Sequence, residues 1–167
     1  SDGYILLIGN ANDNTIIGNN LSDSIGSAIK IRENSNDNII TDNYISNCST
    51  GIVISGYDFP EDKLPTSNKI INNTIINNQK GINLELCENN LIKENIITNN
   101  HYGIFFWFAG LAISNIITHN TISNNEYGIK FDPQPFLFSS NNEISRNNFI
   151  DNNINAYDSR PLHSYIL

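Results

Sequence analysis

Along most of the chain an apolar residue stands alone between polar neighbours, in stretches of three to five residues separated by Asn or Gly. This two-residue alternation predicts short, half-buried strands. No segment carries apolar residues at i, i+3, i+4 and i+7 over a useful length, so no amphipathic helix is expected. The alternation also recurs. The dipeptide Gly-Ile occurs as Gly51-Ile52, Gly81-Ile82, Gly103-Ile104 and Gly128-Ile129, and aligning on it brings the upstream residues into register. Thirteen residues before each glycine stands Asn38, Asn68, Asn90 or Asn115, and eleven before stands Ile40, Ile70, Ile92 or Ile117. Eight before is Asn43, Asn73, Asn95 or Asn120, and six before is Ile45, Ile75, Ile97 or Ile122. Degenerate copies flank these four, one ending in Ala28-Ile29 and one in Asn155-Ala156, so six units cover nearly the whole sequence.

Three short strands per unit, with a shortest repeat of 22 residues, predict a parallel β-helix, an all-β solenoid of about six to seven coils in which each unit makes one turn. The isoleucines then stack inside. Asparagine at fixed corners bonds local backbone, tolerates left-handed φ, and can pair with the same Asn of the next coil as a ladder. The repeat glycine is expected where the chain needs positive φ, a requirement Asn155 would also meet in the last unit.

Residues 10 to 158, through the unit N-x-I-x(2)-N-x-I-x-N-N-x(2)-G-I, resemble the right-handed parallel β-helix repeats of the NosD-like family, which overlaps the carbohydrate-binding proteins and sugar hydrolases. The resemblance implies a right-handed, single-stranded β-helix; the length suits one domain over residues 1–167, and 159–167, which departs from the repeat, is expected as a C-terminal cap or tail. It also implies an extracellular or cell-surface setting. It leaves function open, because this repeat hosts lyases, hydrolases, epimerases, binding modules and adhesins.

Function is therefore sought where the repeat is broken and on its outward columns. Extra chain enters just after the third strand, as Tyr57 to Ser67, Trp107 to Ile113 and Pro133 to Ser140, and these insertions are expected on one edge. Tyr57, Phe59, Trp107, Phe108 and Phe136 concentrate aromatics there. The outward column two residues after the glycine position reads Lys30, Val53, Asn83, Phe105, Lys130 and Tyr157, and two residues further it reads Arg32, Ser55, Glu85, Trp107, Asp132 and Ser159. Rings that stack on sugar faces beside Lys30, Arg32 and Asn83 make this face the expected glycan site. The competing reading is a satellite core, in which the aromatics only cover exposed strand.

For catalysis the candidates are Lys130, Asp132 and Glu85. Glu85 and Asp132 fall two coils apart, roughly 10 Å at the backbone, a spacing compatible with an inverting pair. Lys130 beside Asp132 could instead supply base and acidic partner for a polysaccharide lyase. The stretch Glu126 to Pro133 also resembles the tyrosine-glycine and aspartate-proline elements of alginate epimerases, with two extra residues between the elements and Gln134 where that family has histidine.

Composition narrows the partners. Nine Lys and Arg against seventeen Asp and Glu give a net charge of -8, which opposes nucleic-acid binding. No apolar run is long enough for membrane insertion. His101, His119 and His163 occupy different repeat positions and Met is absent, so no metal site and no cofactor are expected; calcium has no supporting motif. Cys48 and Cys87 are expected as small buried residues rather than a disulfide. Tyr4 to Ile8 opens the chain as an uncapped apolar strand, pointing to adjoining domains of a longer protein or to end-to-end self-association. Polysaccharide or surface glycan is the expected partner, with a lyase or glycoside hydrolase as the alternative to a binding module.

Overall fold

The computed structural model describes residues 4–56, 64–107, 111–132 and 139–159, and every regular element within them is a β-strand. The strands stack in parallel into a β-helix of about six coils. One sheet holds the longer strands, Ile5–Leu7, Ser27–Arg32, Thr50–Ser55, Lys80–Glu85, Tyr102–Phe106, Tyr127–Phe131 and Ile154–Asp158, as seven neighbours in chain order. Two six-stranded sheets of three-residue strands run from Thr15–Ile17 to Glu143–Ser145 and from Asn20–Ser22 to Asn148–Ile150. Residues with the same repeat position face each other in register, as in Ile52, Ile82, Ile104 and Ile129.

The inward columns make the core. Ile40, Ile70, Ile92 and Ile117 form one, Ile45, Ile75, Ile97 and Ile122 a second, and Ile29 to Ile129 a third, all without exposed surface. Each such side chain contributes about 1.5–3 kcal/mol on leaving water. The fourth inward column changes from Ile31, Ile54 and Leu84 to Phe106 and Phe131, whose rings stack with centroids 4.1 Å apart.

The corners are held by buried asparagines. Asn14, Asn38, Asn68, Asn90, Asn115 and Asn142 form one column, each Nδ2 donating to Oδ1 of the next at 2.9–3.0 Å. Asn19, Asn43, Asn73, Asn95, Asn120 and Asn147 repeat the arrangement, and Asn78, Asn100, Asn125 and Asn152 form a third column. Each column residue's backbone N–H donates to the same Oδ1, so the amide closes a corner that strand pairing leaves open. Cys48 takes the position in the third column. Its N–H donates to Asn78 Oδ1 at 2.9 Å, and both Cys48 and Cys87 are buried free thiols.

Two conformational expectations are corrected. The left-handed residue is the one before each column asparagine: Asp13, Asp37, Ser67, Asn89, Ser114 and Asn141 at the first corner, and even Glu94, His119 and Arg146 at the second. Pairing and turning are thus divided between adjacent residues. The repeat glycines do not take positive φ, which among glycines belongs to Gly9 and Gly18. At Gly51, Gly81, Gly103 and Gly128 a Cβ would lie 2.4–2.6 Å from the carbonyl oxygen of the same position one coil on. Coil-to-coil crowding excludes the side chain at these four positions. Asn155 occupies this position in the last described strand, above which the described residues place no further coil; Ala28 holds it in the second strand of the sheet, where a methyl is accommodated.

Candidate functional site

The outer face of the long-strand sheet carries three parallel columns. The two expected columns appear in register: Lys30, Val53, Asn83, Phe105, Lys130 and Tyr157 in one, and Arg32, Ser55 and Glu85 continuing to Trp107, Asp132 and Ser159 in the other. A third, Ser27, Thr50, Lys80, Tyr102, Tyr127 and Ile154, lies just before the glycine position. The sequence reading passed over that column, although its signal stood one residue before each aligned glycine.

The face divides along the solenoid axis. Its later coils are aromatic: Tyr102 stacks on Phe105 with centroids 4.8 Å apart, Tyr127 lies 5.5 Å from Tyr102, and Tyr157 lies 5.9 Å from Tyr127. Two lysines pack over these rings. Lys80 Nζ is 4.6 Å from the Phe105 centroid and 5.6 Å from that of Trp107; Lys130 Nζ is 4.9 Å from Tyr102 and 5.1 Å from Tyr127. Such contacts contribute about 0.5–2 kcal/mol each. Burial against the rings pulls the Lys80 ammonium below the ordinary lysine range, while Glu85 and Asp132 partly offset that shift. His101 and Glu126, 2.5 Å apart, close the rim beside Tyr102.

Phe105 points outward as expected, but it is only 5% exposed because Tyr102, Lys80 and Lys130 cover it. It supports the ring platform from beneath. Tyr157, 43% exposed, and the half-buried Tyr102 and Tyr127 form the accessible surface.

The earlier coils of the same face are polar and open. Lys30, Arg32, Val53, Ser55, Asn83 and Glu85 line a groove of about 300 Å³. It unites four of the expected residues, Lys30, Arg32, Asn83 and Glu85. Asn83 is 5% exposed, and its Oδ1 is buried with no hydrogen-bond donor. The cause is its column, where both register neighbours, Val53 and Phe105, are apolar.

Lys130 Nζ and Asp132 Oδ1 are 3.8 Å apart, their side chains 17% and 26% exposed. Glu85 stands two coils from Asp132, with the Trp107 position between them. The three expected catalytic residues are therefore spread along the strip, with Lys130 engaged by two tyrosines and its neighbouring carboxylate. Tyr57, Phe59, Phe108 and Phe136 lie outside the described residues. The insertions leave the sheet at one edge, after Ser55 and beside Trp107 and Asp132. Where the second insertion rejoins the coil, Ala112–Ile113 pairs with Cys87–Glu88 of the coil before, a short addition that the repeat pattern does not contain.

Comparison with known proteins bears on fold and family. Residues 55–164 match the family model described as "Periplasmic copper-binding protein (NosD)", and residues 6–91 match DUF1565, a protein family of unknown function. No curated protein matches. Among solved structures the chain is similar to the A-module of a mannuronan C-5 epimerase from Azotobacter vinelandii, with 12% identity and a TM-score of 0.54. The match covers 95% of this chain and 56% of the epimerase module, so this chain spans little more than half of that relative. The likeness concerns the β-helix itself.

The described residues do not fit the copper of the family's description. None of them forms a group of three His, Cys, Asp or Glu side chains, and the sequence has no Met. Cys87 is fully buried with its thiol pushed up to about 12, chiefly by desolvation, and burial also raises the Cys48 thiol. Neither thiol is poised to become the thiolate that binds soft metals. With the family model matched over most of its coils and the repeat carried through the remainder, the chain belongs to the NosD family of parallel β-helix repeat proteins.

Proposed function

We propose that this protein is a non-catalytic, extracellular or cell-surface β-helix module that binds polysaccharide along the outer face of its long-strand sheet. The observation that carries the reading is the run of Tyr102, Tyr127 and Tyr157 along the axis, with Phe105 beneath and Lys80 and Lys130 against the rings. Coils advance by about 4.8 Å, a rise comparable to that of one sugar residue in an extended chain. Aromatic faces attract the C–H faces of sugars, and lysines at the ring edges provide donors to hydroxyls. The family's periplasmic description supports a setting outside the cytoplasm.

A binding role fits the charges better than catalysis does. Acid–base cleavage needs two groups converging on one bond, whereas Lys130 is committed to Asp132 and to two rings, and Glu85 stands two coils away. The test is affinity electrophoresis through gels holding neutral and acidic polysaccharides, with reducing-end and unsaturated-product assays on the same samples. The wild type should be retarded without releasing product. A Tyr102→Ala, Tyr127→Ala variant with unchanged circular dichroism should migrate freely. Retardation unaffected by the double variant would overturn this location of the site, and product release would make the protein an enzyme.

A further inference from the structure

The groove beside the ring platform has a chemistry of its own. We infer that it is the subsite for an acidic sugar residue, one carrying a carboxylate or a sulfate ester; this rests on the reading of the same face as a glycan site. Two cationic side chains, Lys30 and Arg32, stand at alternate residues of one strand in a groove whose described lining carries one carboxylate, Glu85, on a protein whose net charge is -8. A cationic lining there favours an anion over a neutral ligand. Lys30 contacts the Tyr4 ring at 5.1 Å and has no carboxylate partner among the described residues.

The second observation is Asn83. Every interior asparagine of the three corner columns is hydrogen-bonded to the coil before and the coil after, but the Asn83 amide lies between Val53 and Phe105 and makes no side-chain hydrogen bond. A buried amide left unpaired costs stability, so something outside the fold should satisfy it. A sugar hydroxyl, which donates and accepts through one atom, meets both needs of an amide. Lys30 and Asn83 stand two coils apart in one column, roughly 10 Å at the backbone, with Val53 between them. A pyranose ring lying over Val53 therefore reaches Asn83 with a hydroxyl while its acidic substituent meets Lys30 and Arg32. Glu85, on the strand of Asn83, accepts from a neighbouring hydroxyl.

The test uses matched ligands differing only in charge: oligogalacturonate against its methyl ester, and a sulfated galactan oligosaccharide against its desulfated form, each titrated calorimetrically. At least one acidic member should bind about tenfold more tightly than its neutral counterpart, and the preference should shrink as salt is added. Lys30→Gln should remove most of that preference. Asn83→Val should raise the melting temperature, because the unpaired amide is gone, yet weaken binding severalfold; a residue with only a structural role would not separate the two readouts. The carboxylate and sulfate arms tell which acid is held. Equal binding of acidic and neutral members, abolished by Tyr102→Ala, Tyr127→Ala, would overturn the acidic subsite while leaving the glycan face in place. Absence of binding by every ligand would overturn both.

Discussion

Asn95→Ala tests whether the corner asparagines hold the coils together. Asn95 is 1% exposed, and its side chain makes five hydrogen bonds: Nδ2 donates to Ile70 O, Lys93 O and Asn120 Oδ1, while Oδ1 accepts from the backbone N–H and the Nδ2 of Asn73. Several of these partners are insured. Asn73 Nδ2 still reaches Ile40 O and Ile71 O, Lys93 O still accepts from Asn72 N–H, and Asn120 Oδ1 still accepts from Asn95 N–H. The Asn73 N–H loses its partner, which costs about 1–3 kcal/mol in a buried setting. The vacated volume and the forfeited amide bonds bring the expected loss to about 3 kcal/mol, or a fall in Tm of roughly 6–12 °C for a chain of this size. Asn95→Asp separates acceptor from donor, since it keeps an oxygen for Asn73 but turns a carboxylate toward three oxygens. Its folded-state pKa should lie above the unfolded value of about 3.9. Stability should then be greatest below that value and fall as pH rises toward the folded pKa. Thermal melts of the wild type and both variants between pH 3 and 8 provide the assay. A Tm for Asn95→Ala within about 2 °C of wild type, a loss below 1 kcal/mol, would refute the idea that the amides carry the corners.

Other consequences can be checked on the same material. Gly103→Val should lower Tm by several degrees, because its Cβ would meet Gly128 O at 2.5 Å with Asn125 and Ile122 alongside, whereas Asn155→Val in the last strand should leave Tm nearly unchanged. Equal effects in urea melts would argue against coil crowding as the reason for glycine. Cys87 has a folded pKa of about 12 against an ordinary 9.0, so its contribution is complete below pH 9 and declines above it by about 1.4 kcal/mol per pH unit; alkaline melts of Cys87→Ala beside wild type should show a steeper slope in the latter, the remainder in the variant coming from Cys48. Neither thiol should react with a disulfide reagent in the folded protein at pH 8, and rapid labelling of Cys87 without denaturant would contradict its burial.

The coils were legible because each committed position recurs: an inward isoleucine and a corner asparagine are read six times, so accidental matches at one coil do not matter. The reason for the repeat glycine was not, since the obstructing oxygen belongs to the next coil and only coil-to-coil distance exposes the clash. The outward columns were also legible in register, yet exposure was not. Phe105 alternates outward like its neighbours, and its burial depends on Lys80, Tyr102 and Lys130 closing over it from three different strands. Asn83 was legible as an outward residue of the expected glycan face, but its unpaired oxygen was not, since that comes from the apolar residues above and below it. Chemistry on this face is set by juxtapositions between coils, which a linear alternation cannot express.

The coil-to-coil hydrogen bonding of the asparagine columns bears on how such proteins change over time. Each interior amide donates to the Oδ1 of the following coil, accepts from the preceding one and also donates back to a carbonyl of that preceding coil, so a coil is recognised by its neighbours through three corner columns that ignore its outer face. A duplicated or deleted turn that keeps those residues is received anywhere in the stack. Length and surface can therefore drift almost independently of foldability, and lineages sharing this backbone can exchange one outer strip for another without renegotiating the interior.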